Sequence, residues 1–304
     1  MSVSAVEERV DRLSRASLKR VIDPDQELPG QVGDGQLMGD DLLSTTGIEG
    51  LDLTPEQKRI LSREEIASIA DAGVRFEAVL TAGFALQIVS AKTVTDPRVV
   101  YLLHEIGEES RHSRLFIRLL EQIEPTAKNP LSGPVFKTLM KVGSRLIVSI
   151  PALLYTLVLA GEEIPDLFQK RCAEHPDTDP FLAEVNRYHR MEEARHLSFA
   201  RAVLPEVWEK ASIVEKVAVR RVAPLVIKGM FETIVHPGVY AAAGLPMWPT
   251  WKAANRTPQR VALRHEALRP VLTALVDAGV FRKGRVPKGW QDLCGVDPGA
   301  EPRA

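Results

Sequence analysis

Apolar and polar positions divide the chain into two parts. Residues 21–53 are rich in Asp, Gly and Pro and show no sustained period, so we expect an extended arm or a long loop there. After this segment, apolar residues recur at the three- and four-residue spacing of an amphipathic helix. This pattern predicts helices over 63–93, 97–123, 134–171 with a break near Pro151, 179–203, 211–232 and 258–279. Because no segment alternates like a strand, the predicted fold class is all-α.

Three of these helices carry clear start signals. Thr54, Asp96 and Asp179 are each followed directly by proline. An acceptor side chain at this place satisfies free backbone N–H groups, and proline suits the first helical position. Long helices joined by short turns pack side by side as a bundle. We therefore expect an N-terminal helix and extended arm at 1–53, one helical domain at 54–281 and a loose C-terminal tail at 282–304.

Charge and cysteine content limit the partners and the compartment. The 304 residues carry 39 basic and 40 acidic side chains, a formal charge of −1, which does not favour nucleic acid as a partner. Cys172 and Cys294 form no Cys-x-x-Cys pair, so we expect neither a disulfide framework nor a thiolate zinc site, and a reducing cytoplasm fits best. The longest apolar run, 146–161, is shorter than the ~20 residues of a membrane span and contains Pro151. It predicts a buried helix and no membrane partner.

One short motif occurs twice inside apolar stretches. Glu-Glu-x-Arg-His ends at His112 and again at His196, an offset of 84 residues. Residues three apart share a helix face, so Glu109 lies beside His112 and Glu193 beside His196. A carboxylate and an imidazole on each of two facing helices can together bind two metal ions. The repeat therefore predicts a duplicated helix pair around a bimetallic site.

Such a site needs one further carboxylate from each of two upstream helices. Glu77 lies 32 residues before Glu109 in an otherwise apolar segment. Before Glu193 the candidates are Glu162 and Glu163, 31 and 30 residues upstream. Glu163 falls on the polar arc of its helix and Glu162 at the edge of that arc, which favours Glu162 and leaves Glu163 as the alternative. Buried carboxylates are costly unless paired or metal-bound, so we interpret these residues as ligands.

The two motifs differ at one position. His189 precedes Glu193 by four residues on the same stripe, where the first motif has Glu105. This extra imidazole makes the predicted site richer in nitrogen than a set of four glutamates and two histidines. Arg111 and Arg195 point to another face, where they either pair with nearby carboxylates or are solvated. No catalytic residue is assigned beyond the predicted metal ligands, which are Glu77, Glu109, His112, Glu162, His189, Glu193 and His196.

With these residues identified, the sequence resembles ferritin-like di-iron proteins, and in particular the p-aminobenzoate N-oxygenase (AurF-like) family. The resemblance rests on the two Glu-x-x-His motifs, on His189, and on the segments LTPEQKRILSREEIASIADAGVRFE, HEIGEESRHSRLF and VNRYHRMEEARHLSFAR. One departure is Glu108, where we expect Asp in the founding enzyme of the family, and this change keeps the charge. The resemblance implies a ferritin-like four-helix bundle core with additional helices and an extended N-terminal arm.

The resemblance also implies an activity. It is that of a homodimeric, O₂-activating, non-haem di-iron oxygenase of the monooxygenase type, which uses an external electron donor. The implied substrate is a small molecule, an aryl amine whose amino group is oxidised to a hydroxylamino, nitroso or nitro group. Carboxylate and imidazole ligands suit iron and, as an alternative, manganese. The alternative functions are a ferritin-like protein that binds and oxidises iron, and a di-metal enzyme that generates a radical or hydroxylates carbon.

Overall fold

The computed structural model describes residues 3–282 and 284–296. Within these residues the chain forms α-helices, short 3₁₀ turns and one π-helical segment, and no strand. The helices are α1 (Val3–Lys19), α2 (Pro24–Glu27), α3 (Pro55–Val89), α4 (Pro97–Ile123), α5 (Pro134–Val148), α6 (Pro151–Glu174), α7 (Pro180–Lys210), α8 (Ile213–Val217), α9 (Ala223–Thr233), α10 (Gly238–Ala242), α11 (Met247–Ala254), α12 (Pro258–Asp277) and α13 (Lys288–Cys294). The all-α prediction is confirmed.

The predicted start signals act as helix caps. The Thr54 hydroxyl accepts a hydrogen bond from the Gln57 N–H, and the Gln57 side chain accepts one from the Thr54 N–H, so α3 begins with a complete capping box. Asp96 accepts from the N–H of Arg98 at the start of α4. Asp179 accepts from two N–H groups at the start of α7. These caps fix where the three helices begin and hence where their interior residues point.

Four long helices form the central bundle. Helix α3 packs along α4, and α6 packs along α7, while α3 also contacts α6 and α4 contacts α7. Helices α3 and α6 approach closely because each has a glycine at the contact: Gly83 lies against Leu154, and Gly161 lies against the ring of Phe76. A side chain at either glycine would overlap its neighbour. This arrangement of two helix pairs is a four-helix bundle, as the sequence predicts.

The long apolar run is split between two helices. Helices α5 and α6 meet at an angle of 112° at the break before Pro151, as predicted. Residues 152–161 of α6 are all buried, whereas no residue of α5 is buried. Helix α3 is long and apolar enough, by length and composition alone, to cross a membrane. It also carries Glu64, Glu65 and Glu77 in buried positions, and the core helix of a bundle meets the same criterion.

The arm between α1 and α3 lies on the bundle. Leu37 and Met38 are fully buried, and the Leu37 N–H donates to the Ser62 hydroxyl at 3.0 Å. The backbone N–H and the hydroxyl of Ser44 both donate to the Glu65 carboxylate of α3. These contacts anchor an irregular segment that has little helix of its own.

The expectation of a loose tail from residue 282 is wrong for α13. Its Trp290 is fully buried and donates from Nε1 to the Val219 carbonyl at 3.1 Å, within the π-helical segment Ala218–Val222 that joins α8 to α9. The seven-residue helix is too short to show a period in the sequence, so its burial could not be predicted there. Residues 297–304 lie outside the described part of the chain.

Candidate metal centre

Two glutamates lie at the centre of the site. Glu109 of α4 and Glu193 of α7 are each 1% exposed. Glu109 places one carboxylate oxygen 3.4 Å from His112 Nδ1 and the other 3.3 Å from His196 Nδ1. Glu193 reaches the same two nitrogen atoms, at 3.1 Å and 2.9 Å. Each carboxylate therefore spans the distance between the two imidazoles, one from each motif.

The outer nitrogen of each imidazole is held by the opposite helix. His112 Nε2 of α4 lies 3.0 Å from a carboxylate oxygen of Glu192 on α7. His196 Nε2 of α7 lies 2.8 Å from a carboxylate oxygen of Glu108 on α4. An Nε2–H that donates to a carboxylate leaves the Nδ1 lone pair directed at the centre, which is the tautomer that a metal ligand needs. The first glutamate of each Glu-Glu pair thus orients the histidine of the other motif.

The two motif arginines pair with these outer glutamates. Arg195 donates to Glu108 at 2.8 Å, and its guanidinium lies 3.3 Å from Glu192. Arg111 lies 3.6 Å from Glu192. Of the two roles left open by the sequence, the structure therefore favours pairing over solvation. Burial raises the pKa of Glu108 and Glu192, but the contacts with His196 and His112, and to a smaller extent with the arginines, hold the pKa of each below its ordinary value.

Three residues form a first cluster at one end of the site. Glu77 of α3, His112 of α4 and His189 of α7 each offer a ligand atom, and these atoms lie within 4.8 Å of one another. The Ser113 hydroxyl donates to Glu77 at 2.5 Å. His189 places Nδ1 3.0 Å from the buried amide oxygen of Gln169 on α6, so its Nε2 faces Glu77 and Glu193. The extra histidine that distinguishes the second motif thus meets the ligands of the first.

A second cluster lies at the other end. Glu105, Glu109 and His196 offer ligand atoms within 4.8 Å of one another. Glu105 was not among the predicted ligands, although its place four residues before Glu109 matches that of His189 before Glu193. That match was the available signal, and the sequence alone could not show that Glu105 is 1% exposed.

The neighbours of Glu162 and Glu163 differ. Glu163 pairs with Arg201 at the side of the bundle. Glu162 is 3% exposed, and the pKa of its carboxyl is raised well above the ordinary value by burial and by the negative charges of Glu193 and Glu109. Glu162 therefore faces the central carboxylates, and Glu163 already has a cationic partner. This geometry favours the choice of Glu162 that helical phase indicated.

The donor atoms fit metal ions. Among the residues that the structure describes, buried oxygen atoms of Glu105, Glu109, Glu162 and Glu193 and the Nδ1 atom of His112 have no hydrogen-bond partner. Leaving so many buried acceptors without donors is costly, and cations at the centre would compensate them. The combination of carboxylate oxygen with imidazole nitrogen suits iron or manganese, and no thiolate is present in these clusters.

Comparison with known proteins assigns a family. The sequence profile of the family described as P-aminobenzoate N-oxygenase AurF matches residues 3–279. The chain belongs to this family. The match covers every residue of both motifs and both clusters described above, so the predicted family resemblance is confirmed.

The chain is also similar to individual proteins. Uncharacterised proteins of Mycobacterium bovis and Mycobacterium tuberculosis are 27% identical to it over 172 residues, which are 56% of this chain and 50% of theirs. The chain thus spans about half the length of the curated relatives it matches. A solved structure, a mutant R2-like ligand-binding oxidase with an aerobically reconstituted Mn/Fe cofactor, aligns with a TM-score of 0.42 and 14% identity over 88% of this chain and 92% of that one.

Burial strongly affects the pKa values of the carboxyl groups in this AurF-family site. Burial raises the pKa of Glu105 to about 8, and the pKa values of Glu77 and Glu162 are raised as well, first by burial. For Glu193, burial is outweighed by the attraction of His196 and His189, so its pKa is lowered. Metal ions require deprotonated carboxylates and neutral imidazoles. Metal ions at this site would therefore compete with protons for the carboxylates of Glu77, Glu105 and Glu162.

Proposed function

We propose that the protein is an O₂-activating, non-haem di-iron oxygenase of the monooxygenase type, and that it N-oxygenates an aryl amine. The observation that carries this proposal is the pair Glu109 and Glu193, each of which spans both inner histidine nitrogens. Carboxylates in this position hold two cations close together. The aryl amine is suggested by the name of the family alone.

The proposed ligand set has seven members. Two of them, Glu109 and Glu193, would hold both ions, and each of the others would hold one. The unpartnered buried oxygen atoms and the inward-facing Nδ1 atoms support this assignment. The ligands are Glu77, Glu109, His112, Glu162, His189, Glu193 and His196. Iron is the proposed metal, with manganese as the alternative.

Two bound iron ions would supply electrons and open coordination positions for the reduction of O₂. In the overall reaction, one oxygen atom of O₂ is added to the amine nitrogen. The other is reduced to water with two electrons and two protons, and an external donor provides these electrons. The part of the protein is to place the ligands and to exclude water, and every proposed ligand is at most 4% exposed.

The outer residues keep the two imidazoles fixed during such a reaction. Glu108 and Glu192 accept the outer N–H of His196 and His112, and arginines balance their charge. Histidines held in this way cannot rotate away from the centre when the charge on the ions changes. This fixed frame is what a site that cycles between oxidation states requires.

The test begins with metal-free protein reconstituted anaerobically with ferrous iron. The metal content is measured by mass spectrometry, and the optical spectrum is followed on exposure to O₂. The protein is then supplied with p-aminobenzoate, a chemical reductant and ¹⁸O₂, and the product is analysed by mass. Glu193→Gln serves as the variant that removes a shared ligand, and Glu121→Gln, an exposed site on the same α4 helix as Glu109, serves as the matched control.

The proposal expects about two irons per chain and a product that contains ¹⁸O on nitrogen, both lost in Glu193→Gln and retained in Glu121→Gln. Iron uptake far beyond two per chain, without product, would instead indicate an iron-oxidising protein. A persistent radical signal without product would indicate a radical-generating enzyme. An ¹⁸O label on carbon would contradict the N-oxygenation step while leaving the oxygenase class intact. Wild-type protein without stoichiometric metal would end the proposal as a whole.

The assembly and location are also proposals. We propose a homodimer in the cytoplasm. Support for a subunit contact comes from α5, whose apolar side chains Val135, Leu139 and Leu146 are 57–85% exposed. Light scattering of the purified protein measures the mass directly, and a monomer at micromolar concentration would contradict the dimer.

A further inference from the structure

The duplicated motif gives each half of the bundle one extra side chain at the site. Four residues before the motif glutamate, α7 carries His189 and α4 carries Glu105. Residues four apart share a helix face, so both side chains are directed toward the same centre as the glutamate that follows them. The sequence prediction used His189 and left Glu105 without a role.

Both extra side chains cross to the opposite half. His189 of α7 meets His112 of α4 in the first cluster, and Glu105 of α4 meets His196 of α7 in the second cluster. This exchange is what an approximate two-fold relation between the halves requires. Glu105 therefore occupies, at the second cluster, the place that His189 occupies at the first.

Within the described part of the chain, the Glu105 side chain has no hydrogen-bond partner. It is 1% exposed, and among the described residues neither of its carboxylate oxygens has a hydrogen-bond donor. The nearby Glu108, by contrast, accepts from both Arg195 and His196. A carboxylate buried without a donor is costly, so a structural role does not explain Glu105, and a cation in the second cluster would.

Resting on the proposed function, we propose that Glu105 is an eighth metal ligand, which binds the ion held by His196 and Glu162. One ion would then be held by Glu77, His112 and His189, and the other by Glu105, Glu162 and His196. Glu109 and Glu193 would be common to both. The second ion lies in a more negative and more oxygen-rich environment, so it is the ion whose higher oxidation state is better stabilised.

The test measures metal binding without turnover. Metal-free protein is titrated with Co(II) by calorimetry, since Co(II) binds carboxylate and imidazole sites and resists oxidation by air. Wild-type protein is expected to bind two Co(II) ions per chain. In Glu105→Gln, which keeps the side-chain volume, one ion binds as in wild type and the other at least tenfold more weakly. The exposed control Glu121→Gln is expected to match wild type.

Double variants assign the weakened ion. Glu105→Gln combined with Glu162→Gln removes two ligands of the same ion, so one wild-type site remains. Glu105→Gln combined with His189→Gln removes one ligand from each ion, so both sites weaken. Wild-type affinity for both ions in Glu105→Gln, or weakening of both sites in the Glu105/Glu162 double variant, would overturn the assignment. If wild-type protein binds no Co(II), both the proposed bimetallic function and the assignment of Glu105 are wrong.

A melting experiment separates a ligand from a structural residue. Because a buried carboxylate without a donor opposes folding, metal-free Glu105→Gln is expected to melt at a higher temperature than metal-free wild type. The same variant is expected to gain less from added Co(II) than wild type gains, since it has lost a ligand. A lower melting temperature of the metal-free variant would mean that Glu105 supports the fold, and would contradict the proposal.

Discussion

The two halves of the bundle supply the same parts of the site, but they complete them differently. Helices α3 and α4 provide Glu77 and the first motif, and helices α6 and α7 provide Glu162 and the second. In the first half the carboxylate of Glu77 accepts a hydrogen bond from Ser113. In the second half one oxygen of Glu162 has no donor among the described residues.

The site residues therefore fall into two groups, those that are the same in both halves and those that differ between them. The central glutamates, the two motif histidines and their outer glutamates match between the halves, and these residues would set the spacing of the two proposed ions. The residues four positions earlier, Glu105 and His189, do not match, and they would set the charge around each ion. The site residues are therefore placed symmetrically in the two halves, but the charges around the two proposed ion positions differ.

Removal of a shared glutamate tests the symmetric part and has the largest expected effect. Glu109→Gln and Glu193→Gln should each weaken both ions, by more than the roughly 10- to 100-fold that is typical for loss of an outer partner. The reason is that each carboxylate spans both imidazoles. Metal content after dialysis against a weak chelator measures the effect. If one variant keeps both ions, its carboxylate is not shared.

Substitution of an outer glutamate should have a smaller effect, and it should act on the ion bound by the histidine of the opposite helix. Glu108→Gln on α4 should weaken the ion bound by His196, and Glu192→Gln on α7 the ion bound by His112, each by about 10- to 100-fold. The fold should be retained, because Gln keeps the side-chain volume and its amide oxygen can still accept a hydrogen bond from the neighbouring arginine. Stepwise Co(II) titration distinguishes the two ions. Equal weakening of both ions in each variant would show that the crossed contacts do not orient the histidines separately.

The close approach of α3 to α6 is a contact that joins the two halves. Gly161 precedes Glu162 and faces Phe76, the residue before Glu77. Gly161→Ala would push a methyl group into that ring and is expected to destabilise the protein by about 1–3 kcal/mol, the usual cost of overpacking. Gly229 of α9 has open space at its Cβ position, so Gly229→Ala is the matched control, with an expected gain of up to about 1 kcal/mol. Urea denaturation measures both, and a neutral Gly161→Ala would show that the helices can separate at no cost.

Much of this architecture was predictable because local signals agree with the fold. Thr54, Asp96 and Asp179 indicate where three helices begin. The Glu and His of each Glu-x-x-His motif share a helix face in any packing arrangement. Helical phase also favoured Glu162 over Glu163, and the ion pair between Glu163 and Arg201 agrees with it. Periodicity locates a residue on its own helix, which suffices for these features.

The remaining features depend on contacts between distant segments. Phase could not show that Glu105 meets His196 or that Glu108 holds the opposite histidine, because these contacts join residues 88 to 91 positions apart. Helix α13 was missed because it is too short to show a period and because Trp290 is buried by packing on other segments, among them the π-helical segment, α9 and α12. Sequence periodicity cannot specify which helices become neighbours.

The hydrogen bond from Ser113 to Glu77 offers the smallest test of the asymmetry. Ser113→Ala removes the donor from the first half and leaves its carboxylate in the condition of Glu162 in the second. The expected loss in affinity for the ion of the first cluster is about 1 kcal/mol. Without the hydrogen bond from Ser113, the Glu77 carboxylate is not oriented before the metal binds. Co(II) titration should show that the ion of the second cluster is unaffected. A change confined to the second ion would mean that Ser113 acts through packing between α4 and α7, and the two halves would then be less independent than their separate hydrogen bonds indicate.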